Sequence, residues 1–136
     1  MHVEKPANPL PQGEYMGAEQ TEFFRKLLLE KHADLSQRIS DHVKGMQVQE
    51  RVSDDLDKAA LEHEHSVGIR LLDRLRADLA AVMAAIKRLS AGDYGYCEST
   101  GLEIGVERML LNPAATLCFD AMQYRELQEK HLRRSN

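Results

Sequence analysis

A chain of 136 residues with no tryptophan and only 5% aromatic residues is too poor in large rings for an aromatic-rich β-core, while its Leu, Ala, Glu, Lys and Arg suit long helices. The formal net charge of −4 disfavours direct, specific DNA binding, which draws on a broad positive field. No stretch approaches the roughly 20 apolar residues of a membrane span, and two cysteines are too few for a secreted disulfide framework, so a cytoplasmic protein without membrane contact is expected.

Residues 1–17 carry Pro6, Pro9 and Pro11 and show no helical period, which predicts an N-terminal arm with Tyr15 and Met16 anchoring it to a base. From about Ala18, the residues Leu28, His32, Leu35, Ile39, His42 and Met46 recur at steps of four and three, the seam of a coiled coil. Turn and helix-start residues at Ser53, Asp54 and Asp55 interrupt the pattern. A second seam runs through Leu61, His65, Gly68, Leu72, Leu75, Leu79, Val82, Ile86 and Leu89 to a cap at Gly92. Two long helices joined by a few residues must be antiparallel neighbours, so residues 18–92 are expected to form a hairpin of about 45–55 Å with its tip at 51–59. That tip is acidic: between Gln49 and Glu64 six acids face two bases, an excess equal to the charge of the whole chain.

Residues 93–121 are rich in glycine and too short for a core of their own, and residues 122–136 read as a final helix. Met122, Tyr124, Leu127 and Leu132 would pack that helix on the base, with Leu102, Ile104, Val106, Met109, Leu110 and Leu117 as further base residues. Tetrahedral zinc in such a segment takes two Cys-x-x-Cys knuckles, because each knuckle supplies two thiolates. Here Cys97 and Cys118 keep the first place of each knuckle, while Thr100 and Ala121 stand in the second. No metal is expected on that donor set. The two cysteines then read as small buried hydrophobes or, under oxidant, as partners in a reversible disulfide. Glu62-His63-Glu64-His65 cannot chelate from one helix face, because residues two apart point to opposed sides; His65 is read as a seam residue.

The string YGYCESTGLEIG at residues 94–105, followed by Arg108, Pro113 and LCFDA from Leu117, resembles the zinc-finger region of the DksA/TraR family, and the likeness extends back to Glu14-Tyr15-Met16. With the second cysteine of each knuckle missing, the chain is similar to members of the family that work without zinc. The resemblance implies a mostly α protein, a long antiparallel coiled-coil hairpin on a small globular base with a degenerate zinc-finger segment and a C-terminal helix. It also implies a monomeric transcription regulator that is no enzyme. Such a protein enters the secondary channel of bacterial RNA polymerase and alters open-complex stability in the stringent response. Asp54, Asp57 and Ala59 match the family's tip motif, and Arg70, Arg74 and Arg108 stand where family members contact the polymerase. As a helix start, Asp54 and Asp57 are equally explained by capping, and Arg70 and Arg74 by a solvated face or an Arg74–Asp78 pair. The family's contact with the alarmone ppGpp aligns with Ala81 and Asn112, neither of which is cationic, so any ppGpp effect is expected at the polymerase interface. A transcript-cleavage factor of the Gre type and a structural coiled-coil adaptor are the alternative readings.

Overall fold

The structure, a computed structural model, describes residues 9–52 and 58–134, and of residues 51 and 52 only the backbone. Among the described residues there are four helices, α1 (Ala18–Val52), α2 (Lys58–Ala91), α3 (Val106–Leu111) and α4 (Phe119–Arg134), and one isolated antiparallel bridge between Tyr96 and Glu103. The mostly helical fold class and the hairpin are as the periodicity requires.

The start of α1 and the end of α2 lie where local chemistry dictates. At the start of α1, Gln20 reaches back so that its Oε1 accepts the Met16 N–H at 3.0 Å, which satisfies a donor that the helix leaves free. At the end of α2, Gly92 adopts φ +83°, its N–H donates to the Leu89 carbonyl, and the Asp93 N–H donates to the Arg88 carbonyl at 3.0 Å. This is a Schellman closure, and glycine meets its left-handed turn without steric cost.

The described residues divide into two compact units. One, from Leu29 to Met83, holds the middle of the hairpin. Its seam places Met46 against Gly68, whose absent Cβ would lie 3.3 Å from the methionine Cε, and His42 against the Gly68 carbonyl at 2.7 Å. Residue number rises along one helix as it falls along the other, the mark of an antiparallel pair. Leu35, Ile39, Leu72 and Leu79 are half-buried, and only Leu75 and Val82 are buried in this unit. The seam assignment holds at every place but one: His65 is exposed. The two-helix layer is too thin to cover a polar ring there, and the imidazole finds water at little cost.

The other unit contains the described residues up to Leu28 and those from Ala84 on. Its core is Phe24, Leu28, Met109 and Pro113, all fully buried, with Tyr94 and Ile104 beside them. Phe24 and Tyr94 have ring centroids 5.6 Å apart, and the Tyr94 hydroxyl donates to the Pro113 carbonyl at 2.7 Å in a buried bond. Tyr15 is tied to this unit: its hydroxyl donates to the Gly95 carbonyl at 2.6 Å and accepts the Gly105 N–H at 3.0 Å.

Two base expectations are corrected. Leu102 is 66% exposed, because it lies at the tip of the turn that closes back through Cys97, whose N–H donates to the Leu102 carbonyl. In α4 only Ala121 and Met122 are half-buried, and Tyr124, Leu127 and Leu132 are each about 65% exposed. Met122 lies nearly opposite Tyr124 on the helix, so the face that packs is not the face that carries the large side chains.

The core makes a direct prediction. Phe24→Ala removes a fully buried ring and lowers stability by about 3–5 kcal/mol. Tyr94→Phe keeps the ring but strands the buried Pro113 carbonyl, at a cost of about 1–3 kcal/mol. Urea denaturation monitored by circular dichroism measures both, and an unchanged midpoint in either variant contradicts the assignment.

Candidate functional site

Three groups of residues carry the functional reading: the hairpin tip, the arginines of α2, and the knuckle segment of the base. At the tip, Asp54 and Asp57 lie outside the described residues. Ala59 is the second residue of α2 and is exposed, as are Glu62, His63 and Glu64 after it. Glu64 accepts the Gln49 side-chain amide at 2.7 Å across the two helices.

Arg70 and Arg74 are exposed on one face of α2. Among the described residues the ion pairs are Arg25–Glu22, Arg38–Asp34, Arg88–Glu98 and Arg125–Glu129, so the Arg74–Asp78 pair does not form and both guanidinium groups face solvent.

Arg108 is placed differently from the expectation. It is half-buried, its Nε donates to the Leu117 carbonyl at 2.9 Å, and its Nη2 lies 2.9 Å from the Met122 sulfur. One side chain thus ties α3 to the second knuckle and to the first turn of α4. Arg88, which sequence reasoning passed over, does the same for the first knuckle. Its Nη2 donates to the Tyr96 carbonyl at 2.7 Å, and its Nη1 lies 4.0 Å from Glu98. An arginine at the last turn of a helix reads in sequence as a helix-end charge, and only the fold reveals the carbonyl it meets.

Ala81 is exposed and offers no polar group. Asn112 is occupied in its own turn, where its Oδ1 accepts the Ala114 N–H at 3.2 Å.

In the knuckle segment, the Glu98 N–H donates to the Thr116 carbonyl at 2.9 Å and brings the knuckles together. Both cysteines are free; Cys97 is buried and Cys118 half-buried. Burial pushes the Cys97 thiol up, but the Thr100 hydroxyl and the backbone N–H groups of Cys118, Thr100 and Ser99 all donate to its sulfur. Together they outweigh burial and hold it at about 6, below the usual thiol range. Thr100 is the hub. Its oxygen accepts the Leu102 N–H at 3.2 Å and lies 3.9 Å from the Cys118 sulfur.

Burial also raises the Tyr94 phenol well above its ordinary value, and it raises Tyr15 more weakly. Both hydroxyls stay protonated and remain donors.

Two sulfurs, a hydroxyl and the methyl of Ala121 supply only two of the four soft donors that a tetrahedral zinc site takes. Among the described residues no three His, Cys, Asp or Glu side chains converge as metal ligands, and no helix is long and apolar enough to cross a membrane.

Comparison with known proteins follows the same division of the chain. Residues 20–89 match the family model described as DnaK suppressor protein DksA, N-terminal domain, and residues 92–126 match the prokaryotic dksA/traR C4-type zinc finger. The RNA polymerase-binding transcription factor DksA of Haemophilus influenzae is 36% identical over 129 residues, covering 94% of this chain and 89% of its own. Its counterpart in Escherichia coli K12 is 34% identical, with 94% and 85% covered. The solved structure of transcription factor DksA2 from Pseudomonas aeruginosa superposes with a TM-score of 0.82 at 40% identity, covering 89% of this chain and 94% of that one. With both segments matched and relatives aligned along nearly the whole length, the chain belongs to the DksA/TraR family.

Proposed function

We propose that this protein is a transcription regulator that binds bacterial RNA polymerase, inserts the hairpin tip into the secondary channel, and alters the stability of open complexes without structural zinc. The observation that carries the reading is alignment over 94% of the chain with proteins described as RNA polymerase-binding transcription factors. Two exposed arginines on one face of α2 support it, since neither is engaged by a carboxylate among the described residues.

In this reading Asp54, Asp57 and Ala59 act beside mobile elements of the polymerase active site. A tip that binds one conformation of the open complex better than another shifts the population between them, and no covalent chemistry is required. Promoters with intrinsically unstable open complexes are then inhibited, as in the stringent response. Arg70 and Arg74 bind the outer polymerase surface. Arg108 serves the base, because its guanidinium is engaged there. An effect of ppGpp arises from polymerase residues, since Ala81 and Asn112 supply no cation for a phosphate. The protein acts as a cytoplasmic monomer.

Independence from zinc rests on what holds the base: the Phe24–Tyr94–Pro113 core, the carbonyl bonds of Arg88 and Arg108, and the donors around Cys97. A four-thiolate site fails when zinc is scarce or oxidants are present, and a base of this kind keeps its fold.

Three outcomes follow. Asp57→Asn abolishes the effect on a ribosomal promoter in vitro while polymerase binding is retained, whereas Arg74→Ala weakens binding by about tenfold; unchanged transcription by Asp57→Asn points to an adaptor. Chelation leaves transcriptional activity and melting temperature unchanged, and stoichiometric zinc in the purified protein contradicts the proposal. The third concerns pH. The folded Cys97 thiol titrates at about 6 and the unfolded one near the ordinary value, so between these the unfolded chain binds the extra proton. This contribution to stability is complete above the unfolded value, and it is lost as pH falls through about 6. Melting temperature measured against pH shows that slope in the wild type, and Cys97→Ala removes it.

A further inference from the structure

Between the late turns of α1 and the early turns of α2 lies an open groove of about 880 Å³, lined by Gly45 and Gly68 together with Val48, Val67 and Leu71. We propose that this groove is a docking surface for a basic segment of RNA polymerase that presents an aliphatic or aromatic side chain between lysines or arginines. The inference rests on the polymerase-binding reading and adds to it a surface on the flank of the hairpin, next to the tip.

Gly45 carries the argument. A glycine inside a long helix costs about 0.8–1 kcal/mol relative to alanine. Such a cost is normally offset by close packing, as at Gly68, where Met46 occupies the space a Cβ would need. At Gly45 nothing lies within 4 Å of the missing Cβ and φ is ordinary, so no neighbour and no turn within the chain requires a glycine. What the glycine does is leave the groove open.

The walls agree with an external occupant. Val48, Val67 and Leu71 are 59%, 48% and 46% exposed, three aliphatic side chains gathered in one concavity, whereas exposed apolar residues elsewhere on a surface are scattered singly. The charged residues of the groove are Asp41 and Glu64, and no lysine or arginine lines it. That asymmetry selects a basic partner and repels an acidic one. The walls are also braced. His42 Nε2 donates to the Gly68 carbonyl at 2.7 Å, and the Gln49 amide donates to Glu64, so little ordering remains to be done when the partner arrives.

The test uses the full-length protein and core polymerase. Gly45→Gln fills the groove with a polar side chain and favours the helix, so circular dichroism and melting temperature are expected at or above wild type. Asp41→Lys reverses one rim charge at an exposed position. Affinity measured by fluorescence anisotropy is expected to fall about tenfold for each, a change of about 1.4 kcal/mol. Wild-type affinity in both well-folded variants, with Arg74→Ala still weakened, overturns the groove and leaves the polymerase reading intact. Wild-type protein that does not bind polymerase overturns both. If light scattering finds a wild-type dimer that Gly45→Gln converts to monomer at unchanged polymerase affinity, the groove belongs to a second copy of the chain and the proposal fails.

Discussion

The base depends on one buried hydrogen bond, from the Tyr94 hydroxyl to the Pro113 carbonyl. The segment between these residues has a six-residue helix and a single β-bridge, too little regular structure to exclude water by itself. Segments of this size usually borrow stability from metal or disulfide. This one borrows a wall. Phe24 and Leu28 of α1 are both fully buried in the same unit, and the tilted contact of Phe24 with Tyr94 sets the phenol at the angle from which it reaches the proline carbonyl. Because the carbonyl is buried, the bond is worth more than its net strength: without the hydroxyl, a desolvated acceptor has no partner. Phe24 and Tyr94 meet at this junction, with Tyr15 bridging Gly95 and Gly105 in the same unit.

In the zinc-independent reading proposed above, that wall does the work that metal does in a four-thiolate knuckle. In a metal-bound knuckle, backbone N–H groups point at the sulfur and tune a thiolate whose charge the metal balances. Here the Ser99 and Thr100 N–H groups still point at Cys97, joined by the Cys118 N–H and by the hydroxyl of Thr100 at the place of the missing cysteine. Threonine suits this role where alanine does not, since it can donate to one sulfur and accept from the other group in the same turn. Ala121, in the corresponding place of the second knuckle, has no such capacity.

The parts of this arrangement differ in how far they could be read from sequence. Helix ends were legible, because Ala18 follows a proline-rich arm and Gly92 supplies the one conformation a Schellman closure needs. The seams were legible for the same reason that long periodic segments generally are: a repeat sustained over nine places leaves no other face to bury. Phe24 and Tyr94 were missed as core because they sit at the margins of their periodic patterns, and their importance comes from a contact between positions 70 residues apart. Leu102, Leu127 and Leu132 mislead in the opposite sense. Hydrophobicity predicts burial only where another element lies opposite, and sequence does not say that nothing faces the outer side of α4. Arg108 was read as a contact for a partner because its number matched a family position, whereas its fold neighbours, the Leu117 carbonyl and Met122 sulfur, already use it.

The hairpin unit is stabilised on different terms from the base. Among the described residues only Leu75 and Val82 are buried there, the other seam residues are half-buried or, at His65, exposed, and two of the six seam places on α1 are histidine. Local opening free energy follows buried apolar contact, so this unit opens at lower cost than the aromatic core around Phe24. What holds its register is polar and specific: His42 to the Gly68 carbonyl and Gln49 to Glu64, each linking a single pair of positions across the two helices. A slip by one residue would break both and carry the seam away from its partner face. A helix pair of this kind keeps its register without a deep core, and a partner that binds only the closed pair stabilises it further by mass action. In the proposed reading the low intrinsic stability of the unit and its role in binding another protein are two aspects of one design: apolar surface left unburied within the chain remains available to a partner.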